Sequence, residues 1–143
     1  MRLLLDTNVW IALLDDAHVH SALANALLEQ PGLRIATCPL VENAVIRILN
    51  LPAYARIGPF GFARVRDQMA RVCADFDHAF WADDISLRDH NLVNFTRVHG
   101  HNQITDLYLL ALAVKHGGSL ATFDQGIALG AVVHAESKHL TVL

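Results

Sequence analysis

Short apolar runs alternate with helix-like segments along the chain, and this alternation is the strongest constraint on its fold. The runs that indicate strands lie at residues 2–6, 33–37, 79–81 and 119–123, with a last strand expected from residues 132–133 and 140–143. The helical patterns lie between them, at residues 9–14, 18–30, 39–51, 62–74 and 105–116. Strands separated by helices pair in parallel, with helices covering the sheet. We therefore predict an α/β fold with a small, mostly parallel sheet.

The helix predicted at residues 105–116 is apolar on all sides (LYLLALAV) and should be buried, with Gly117-Gly118 capping its end. The segment 53–62, which contains Gly58, Pro59 and Gly61, is typical of a loop, and residues 83–102 show no clear pattern. No repeat or linker divides the chain, so residues 1–143 are expected to form a single domain.

Composition narrows the possible functions. Hydrophobic residues make up 53% of the chain and charged residues 17%, which excludes intrinsic disorder and suggests apolar surface for a partner. The net charge of −3 means that a polyanion would need a local basic patch or a bound metal. Cys38 and Cys73 stand far apart, which argues against a disulfide framework. Without a signal-like N-terminus or a membrane-length apolar run, we expect a soluble cytoplasmic protein with no membrane contact.

Four acidic residues fall where the predicted strands end or the following helices begin. Asp6 ends the first strand, Asp124 follows the strand SLATF, and Glu42 and Asp106 lie in the first turns of two helices. In an open parallel sheet these positions share one edge, which is also the edge where ligands bind. We therefore predict that the four carboxylates converge.

Each of these acids also has a purely structural explanation, because a carboxylate at a helix start is favoured by about 0.3–1 kcal/mol. Together they are harder to explain structurally, since two carboxylates about 4 Å apart repel by about 4 kcal/mol at an effective dielectric of 20. A cation would offset that repulsion. All-oxygen ligands select a hard ion, Mg²⁺ or Mn²⁺, and such ions suit phosphodiester hydrolysis because they activate water and stabilise the leaving oxygen.

Several sequence pieces resemble the PIN-domain ribonucleases, and among them the VapC-type toxins of prokaryotic toxin–antitoxin pairs. The matching pieces are LLLDTNVWIAL, TCPLVENAVIRIL, HAFWADDISL, HNQITDLYLLALAVKHGG and LATFDQG. They span nearly the whole chain and contain all four acids. The D-T-N start is weakly specific, whereas the ITDxYLLxLA and HGGxLATxD stretches are more specific.

The resemblance implies a PIN-like α/β/α sandwich and an Mg²⁺- or Mn²⁺-dependent endoribonuclease that inhibits translation by cutting tRNA or ribosomal RNA. It also implies a homodimer and a complex with a cognate VapB-type antitoxin. By position, Asp6, Glu42 and Asp106 would hold the principal metal, and Asp124 would complete the site or help with a second ion. Asn8 and Thr122 match polar positions that orient carboxylates or water.

Arginines in the middle of the chain are candidates for RNA contact. Nine of the eleven basic residues are Arg, and seven of them lie between residues 47 and 97: Arg47, Arg56, Arg64, Arg66, Arg71, Arg88 and Arg97. Arg64 and Arg71 are seven residues apart and therefore share a helical face. An RNA-binding face and an ordinary solvated face explain this pattern equally well.

Two other functions remain open on the sequence alone. One is a catalytically silent RNA-binding or regulatory module whose acids only bind a stabilising metal. The other is a DNA-directed nuclease of the wider PIN and flap-nuclease group, which is less favoured because the chain has little room for helices that would thread a DNA flap. The pairs His18/His20 and His99/His101 lack a third ligand at suitable spacing for zinc, so surface or structural roles are expected.

Overall fold

A parallel sheet of five strands forms the centre of the molecule. The computed structural model describes residues 1–54 and 58–143. The strands are β1 (Leu3–Leu5), β2 (Arg34–Thr37), β3 (Asp77–Phe80), β4 (Ser119–Thr122) and β5 (Leu140–Val142). Their order in the sheet is β3-β2-β1-β4-β5, and each neighbouring pair is parallel. The predicted α/β fold with a small parallel sheet is confirmed.

Five α-helices connect and cover these strands. They are α1 (Thr7–Leu14), α2 (Ser21–Leu28), α3 (Pro39–Ile48), α4 (Phe62–Asp75) and α5 (Ile104–Lys115). The chain steps from β1 to β2 and β3 in one direction, then crosses back to β4 and β5 in the other. Because such crossovers are right-handed, this reversal places α1 to α4 on one face of the sheet and α5 on the opposite face. The result is the predicted α/β/α sandwich.

Local sequence explains where the main helices begin. Asp6 caps α1, with its side chain accepting a hydrogen bond from the backbone N–H of Thr7. Pro39 occupies the first turn of α3, where a missing N–H costs nothing. Helix α5 buries Leu107, Leu109 and their apolar neighbours around its circumference, as its composition predicts. Helix α1 starts directly after β1, and α5 leads back into β4, so the starts of both helices lie at the carboxyl ends of these two neighbouring strands.

The core uses apolar side chains from both faces of the sheet. Trp10, Leu4 and Leu120 are completely buried, and Trp81 is nearly so. The Trp81 ring stacks on His116 with 4.5 Å between ring centroids. Both tryptophans therefore belong to the packed interior. Among residues 1–54 and 58–143, no helix has the length and apolar character needed to cross a membrane.

The structure differs from the predicted strands at two places. Strand β3 starts at Asp77 rather than residue 79, because the Asp77 carboxylate bridges Arg2 and Arg34 at 2.8 and 3.0 Å and ties this polar end to the sheet. The prediction that residues 132–133 belong to a strand was wrong. Val132 forms only an isolated antiparallel bridge with Val93, between a 3₁₀ turn at Leu129–Ala131 and a left-handed residue, His134.

Helix ends also differ from the sequence pattern. Helix α2 covers Ser21–Leu28 rather than residues 18–30, because backbone turns at Asp15, His18 and Leu27 occupy the flanking positions. Helix α3 ends at Ile48, three residues before the predicted end. Of the predicted loop at residues 53–62, residues 55–57 lie outside the described part of the chain, and Arg56 lies there with them.

Candidate functional site

Three of the four predicted acids lie at the carboxyl edge of the two central strands. Asp6 directly follows β1, and Asp124 lies two residues beyond the end of the adjacent strand β4. Asp106 lies in the first turn of α5, which packs on both strands. These positions come from distant parts of the sequence and meet because β1 and β4 are neighbours in the sheet.

Thr122 holds the Asp6 carboxylate in place. Asp6 is only 4% exposed; its Oδ1 accepts from the Thr7 N–H at 2.6 Å, and its Oδ2 accepts from the Thr122 hydroxyl at 2.8 Å. The backbone N–H of Asp124 donates to the same Thr122 hydroxyl oxygen at 3.1 Å. Thr122 thus links the two strand ends and fixes the relative positions of Asp6 and Asp124.

The three carboxylates affect one another electrostatically. Burial raises the pKa of Asp6, and the negative charge of Asp124 raises it further, against the opposing effect of the Thr122 and Thr7 hydrogen bonds. Burial, followed by the charges of Asp6 and Asp124, raises the pKa of Asp106 to about 6. Within the described residues no Lys, Arg or His lies within ion-pairing distance of these three acids. The edge therefore carries an uncompensated negative charge that a cation would neutralise.

Burial and this repulsion together predict a pH dependence of stability in the metal-free protein. Because folding raises the pKa of Asp106 from 3.8 to about 6, the folded state holds the proton more tightly than the unfolded state. The contribution of Asp106 to the free energy of unfolding is therefore highest below pH 3.8, decreases as the pH rises to about 6, and stays low above that. Asp106→Asn should remove this decrease, leaving the metal-free variant more stable than wild type at neutral pH. Urea unfolding of both proteins at several pH values measures the difference, and parallel pH profiles would contradict the account.

The donor chemistry of this edge suits a hard divalent ion, although the side chains do not form a complete cage. Among residues 1–54 and 58–143, no three His, Cys, Asp or Glu side chains are grouped closely enough to enclose a metal. Mg²⁺ does not require such a cage, because it keeps several waters and is commonly bound by one or two carboxylates plus substrate phosphate. Carboxylate oxygens that repel one another fit such an ion.

An open cavity of about 400 Å³ lies in front of two of these acids. Asp106 and Asp124 line it together with Gly126 and with a polar loop that contributes His99, Gly100, Asn102 and Gln103. The Gln103 side-chain oxygen accepts from the backbone N–H groups of His99 and Gly100 at 2.8 and 3.1 Å, which holds the loop against the start of α5. The sequence pattern did not indicate this loop, because its shape depends on a side-chain contact that periodicity does not reveal.

Glu42, the fourth predicted acid, faces a different recess. Its Oε1 accepts from the Thr37 hydroxyl at 2.8 Å, and the same hydroxyl oxygen lies 2.8 Å from Nε2 of His78. This recess, of about 270 Å³, is lined by Glu42, Ile46, Arg66, Met69, Ala70, Cys73 and His78. The structure thus places Glu42 at the same sheet edge but does not bring it into the cavity that Asp106 and Asp124 line.

Neither Thr37 nor His78 was singled out from the sequence. Thr37 ends β2 and His78 lies in β3, so their proximity appears only once the parallel register of these strands is known. Asn8, predicted as a supporting residue, lies exposed in the first turn of α1, two residues after Asp6. Its predicted role in orienting carboxylates or water stays a prediction.

The predicted RNA-contacting arginines lie on the exposed face of α4. Arg64 and Arg71 are both exposed, and the Arg64 guanidinium carbon lies 5.9 Å from the centroid of the Phe60 ring. Arg66 pairs with Asp67 at 2.9 Å, and Arg97 donates to the carbonyl of Gly130 at 3.2 Å. Arg64 and Arg71 thus remain the better candidates for contact with a polyanion.

Comparisons with known proteins agree on one family. The model of the PIN domain family matches residues 3–131. The chain is 41% identical to ribonuclease VapC44 of Mycobacterium tuberculosis over 144 residues, covering 100% of both chains. It is 39% identical to ribonuclease VapC29 of the same organism, covering 90% of each.

Solved structures share the architecture at low sequence identity. M. tuberculosis VapC20, described as a toxin that cleaves the sarcin–ricin loop, superimposes with a TM-score of 0.60 at 16% identity, covering 92% of this chain and 96% of VapC20. VapBC2 of Rickettsia felis, solved with a DNA fragment from its promoter, gives a TM-score of 0.55 at 14% identity, covering 88% and 90%. At these identities the likeness concerns the fold.

Proposed function

Because the chain belongs to the PIN domain family, we propose that it is an endoribonuclease and the toxin of a VapBC-type toxin–antitoxin system. The observation that carries the proposal is the convergence of Asp6, Asp106 and Asp124 at the end of β1 and β4, with the charges of Asp6 and Asp124 acting on Asp106. Relatives that match the chain over nine-tenths or more of its length are named ribonuclease VapC. We further propose that the substrate is tRNA or ribosomal RNA, so that cleavage inhibits translation in the cytoplasm.

A divalent cation, Mg²⁺ or Mn²⁺, is the proposed cofactor. Asp6 and Asp106 would hold the principal ion, and Asp124 would complete the site or help with a second ion. Glu42, which lies at the same sheet edge but faces the neighbouring recess, is the proposed third ligand of the principal ion. When bound, such an ion activates water for attack on phosphorus and stabilises the leaving oxygen. Because no described Lys, Arg or His lies within ion-pairing distance of Asp6, Asp106 or Asp124, cation binding would also offset the repulsion that, together with burial, raises the pKa of Asp106.

The chain's own residues orient this site. Thr122 and the Thr7 N–H both donate to Asp6, and these hydrogen bonds favour its charged form despite burial. The loop that Gln103 holds at His99 and Gly100 forms one wall of the open cavity, where an RNA strand would lie next to Asp106. We propose that Asn8, in the first turn of α1 and two residues after Asp6, orients water or a carboxylate.

Incubation with total prokaryotic RNA tests the proposed activity. Purified protein free of antitoxin is combined with RNA and Mg²⁺ or Mn²⁺, beside a reaction containing EDTA. Discrete fragments that require the metal are expected. Metal binding that raises the melting temperature without any RNA cleavage would favour the silent RNA-binding or regulatory module instead. Cleavage of single-stranded DNA in preference to RNA would favour the DNA-directed alternative.

We also propose a VapB-type antitoxin and a second copy of the chain as partners. Large apolar side chains are exposed in the turn before α2, on α2 itself and at the start of α4: Val19 (84% exposed), Leu23 (49%) and Phe62 (68%). Exposed side chains of this kind fit burial against another chain. Because apolar contact would supply most of that interface, high salt alone should not dissociate the toxin–antitoxin pair. Complete dissociation in high salt would contradict this.

Neutralising the arginines of α4 should weaken RNA binding. The variant Arg64→Gln/Arg71→Gln removes two exposed positive charges from one helical face. We expect a weaker affinity for a single-stranded RNA and a shallower dependence of log K on log salt, by about 0.7 per lost phosphate contact. Binding titrations at several salt concentrations measure the slope. An unchanged slope would mean that this face is only a solvated surface.

A further inference from the structure

We infer that His78 is a positioning residue for Glu42, and that it acts through the hydroxyl of Thr37. This inference rests on the proposed function, in which Glu42 contributes to the hydrolytic site. It adds two residues, Thr37 and His78, for which neither the sequence motifs nor the comparisons supply a role.

The sheet register brings these three side chains together. In the parallel pairing of β2 with β3, Ile35 is opposite His78 and Thr37 is opposite Phe80. Because side chains alternate along a strand, Ile35, Thr37 and His78 project from the same face of the sheet. Helix α3 begins directly after β2, and its first turn brings Glu42 back over the same strand end. The contact therefore follows from the topology and does not depend on a flexible loop.

The chemistry of the three groups sets the direction of the hydrogen bonds. The Thr37 hydroxyl oxygen lies 2.8 Å from Oε1 of Glu42 and 2.8 Å from Nε2 of His78. An ionised carboxylate can only accept, so the single hydroxyl proton goes to Glu42. The same oxygen must then accept from His78, which requires a proton on Nε2. The chain runs from His78 to Thr37 to Glu42.

Burial makes this direction matter. Thr37 is completely buried, so competition from bulk water is removed. Apolar side chains of α3 and α4, Ile46 and Met69, line the recess beside Glu42 and His78. In such surroundings linked hydrogen bonds polarise one another, and a group that loses its partner becomes costly. His78 therefore strengthens the donation from Thr37 and fixes one carboxylate oxygen of Glu42. Among the described residues no side-chain hydrogen bond uses the other oxygen, Oε2, which remains available to a cation.

The tautomer of His78 is the first test, and it does not require nuclease activity. Long-range ¹H–¹⁵N spectra of the metal-free protein, recorded at a pH where the His78 ring is uncharged, should show a proton on Nε2 of His78 and none on Nδ1. Thr37→Val, which replaces the hydroxyl with a methyl group, should reduce this preference, whereas Thr37→Ser should preserve it. A wild-type ring protonated on Nδ1 and bare on Nε2 would overturn the inference.

Binding of Mn²⁺ is the second test, with matched variants of His78. His78→Phe keeps a planar ring but cannot donate, whereas His78→Gln keeps a donor of similar reach. Loss of an outer-shell partner such as Thr37 usually weakens metal binding by about 10- to 100-fold. We expect His78→Phe, which acts one step further from the ion, to weaken Mn²⁺ binding by up to that amount, and His78→Gln to recover part of it. If His78 acts through Thr37, the double variant His78→Phe/Thr37→Val should bind Mn²⁺ no more weakly than Thr37→Val alone.

The outcomes separate this inference from the proposed function. Unchanged Mn²⁺ affinity in His78→Phe, or additive losses in the double variant, would overturn the positioning role even if the wild type cleaves RNA. Failure of the wild type to bind Mn²⁺ would overturn it as well, because Glu42 would then have no ion to hold. A wild type that shows the expected tautomer and Mn²⁺ effects but cuts no RNA would leave the positioning role standing and remove the nuclease. Urea midpoints of every variant check that each one is folded.

Discussion

Asp106→Asn is expected to abolish RNA cleavage while leaving the fold intact. Asparagine has nearly the same shape as aspartate, but it lacks the negative charge with which Asp106, beside Asp6 and Asp124, would bind the cation. Loss of an outer-shell partner of a metal ligand typically costs about 10- to 100-fold, so loss of a ligand should reduce cleavage by at least about 100-fold. Initial rates of cleavage of a mapped RNA, compared at saturating Mn²⁺, measure the effect.

A matched substitution outside the site provides the control. Asp16→Asn makes the same chemical change at an exposed turn after α1 and should cleave RNA at the wild-type rate. Asp6→Asn should behave like Asp106→Asn in cleavage. Its amide offers only one oxygen to the two donors, Thr7 and Thr122, and this cost in stability offsets the gain from removing a buried charge. Wild-type rates in either Asp6→Asn or Asp106→Asn would refute the assignment of the site.

Removal of divalent metal should abolish cleavage and lower the melting temperature. The acids at the ends of β1 and β4 repel one another, and a bound cation would attract each carboxylate and so offset that repulsion. Ligand that binds only the folded state stabilises it by about 2.7 kcal/mol at a concentration 100 times its dissociation constant. We therefore expect EDTA to stop cleavage and to lower the melting temperature, and Mg²⁺ or Mn²⁺ in excess to restore both.

Ionic strength must be separated from specific binding in this experiment. KCl at the same ionic strength screens surface charge and should not reproduce the stabilisation by Mn²⁺. Asp106→Asn should lose most of the metal-dependent increase in melting temperature, and Asp16→Asn should keep it. An equal increase with KCl, or in Asp106→Asn, would mean that the acids do not bind the ion.

The positions of the three aspartates could be predicted from sequence because they depend on general features of parallel sheets. A residue that directly follows a buried strand, or that begins the helix packed on that strand, lies at the carboxyl edge regardless of side-chain detail. Asp6 and Asp106 meet this description, Asp124 lies one residue further from its strand, and the structure brings the three close enough for their charges to interact.

The direction of the Glu42 side chain could not be predicted in the same way. Its place in the first turn of α3 sets where its backbone lies, whereas the side chain turns toward a hydroxyl on β2 that is itself held by a ring on β3. The same limit applies to the start of β3, which depends on Asp77 pairing with Arg34 of β2 and with Arg2, directly before β1. The strand predicted at Val132 was wrong for the opposite reason. The local sequence there is apolar, but Val132 pairs with Val93 only through a single bridge. Contacts across the sheet decided these features.

The chemistry of the cut ends tests the central claim most directly. Hydrolysis by water at a metal-binding carboxylate site leaves a 5′-phosphate and a 3′-hydroxyl, whereas attack by the RNA's own 2′-hydroxyl leaves a 5′-hydroxyl and a cyclic phosphate. RNA cut by the wild-type protein with Mn²⁺ is treated with a ligase that joins only 5′-phosphate ends, beside Asp106→Asn. We predict ligatable 5′-phosphate ends that require the metal and are absent with Asp106→Asn. Fragments with 5′-hydroxyl ends, or the same ends with Asp106→Asn, would contradict the account.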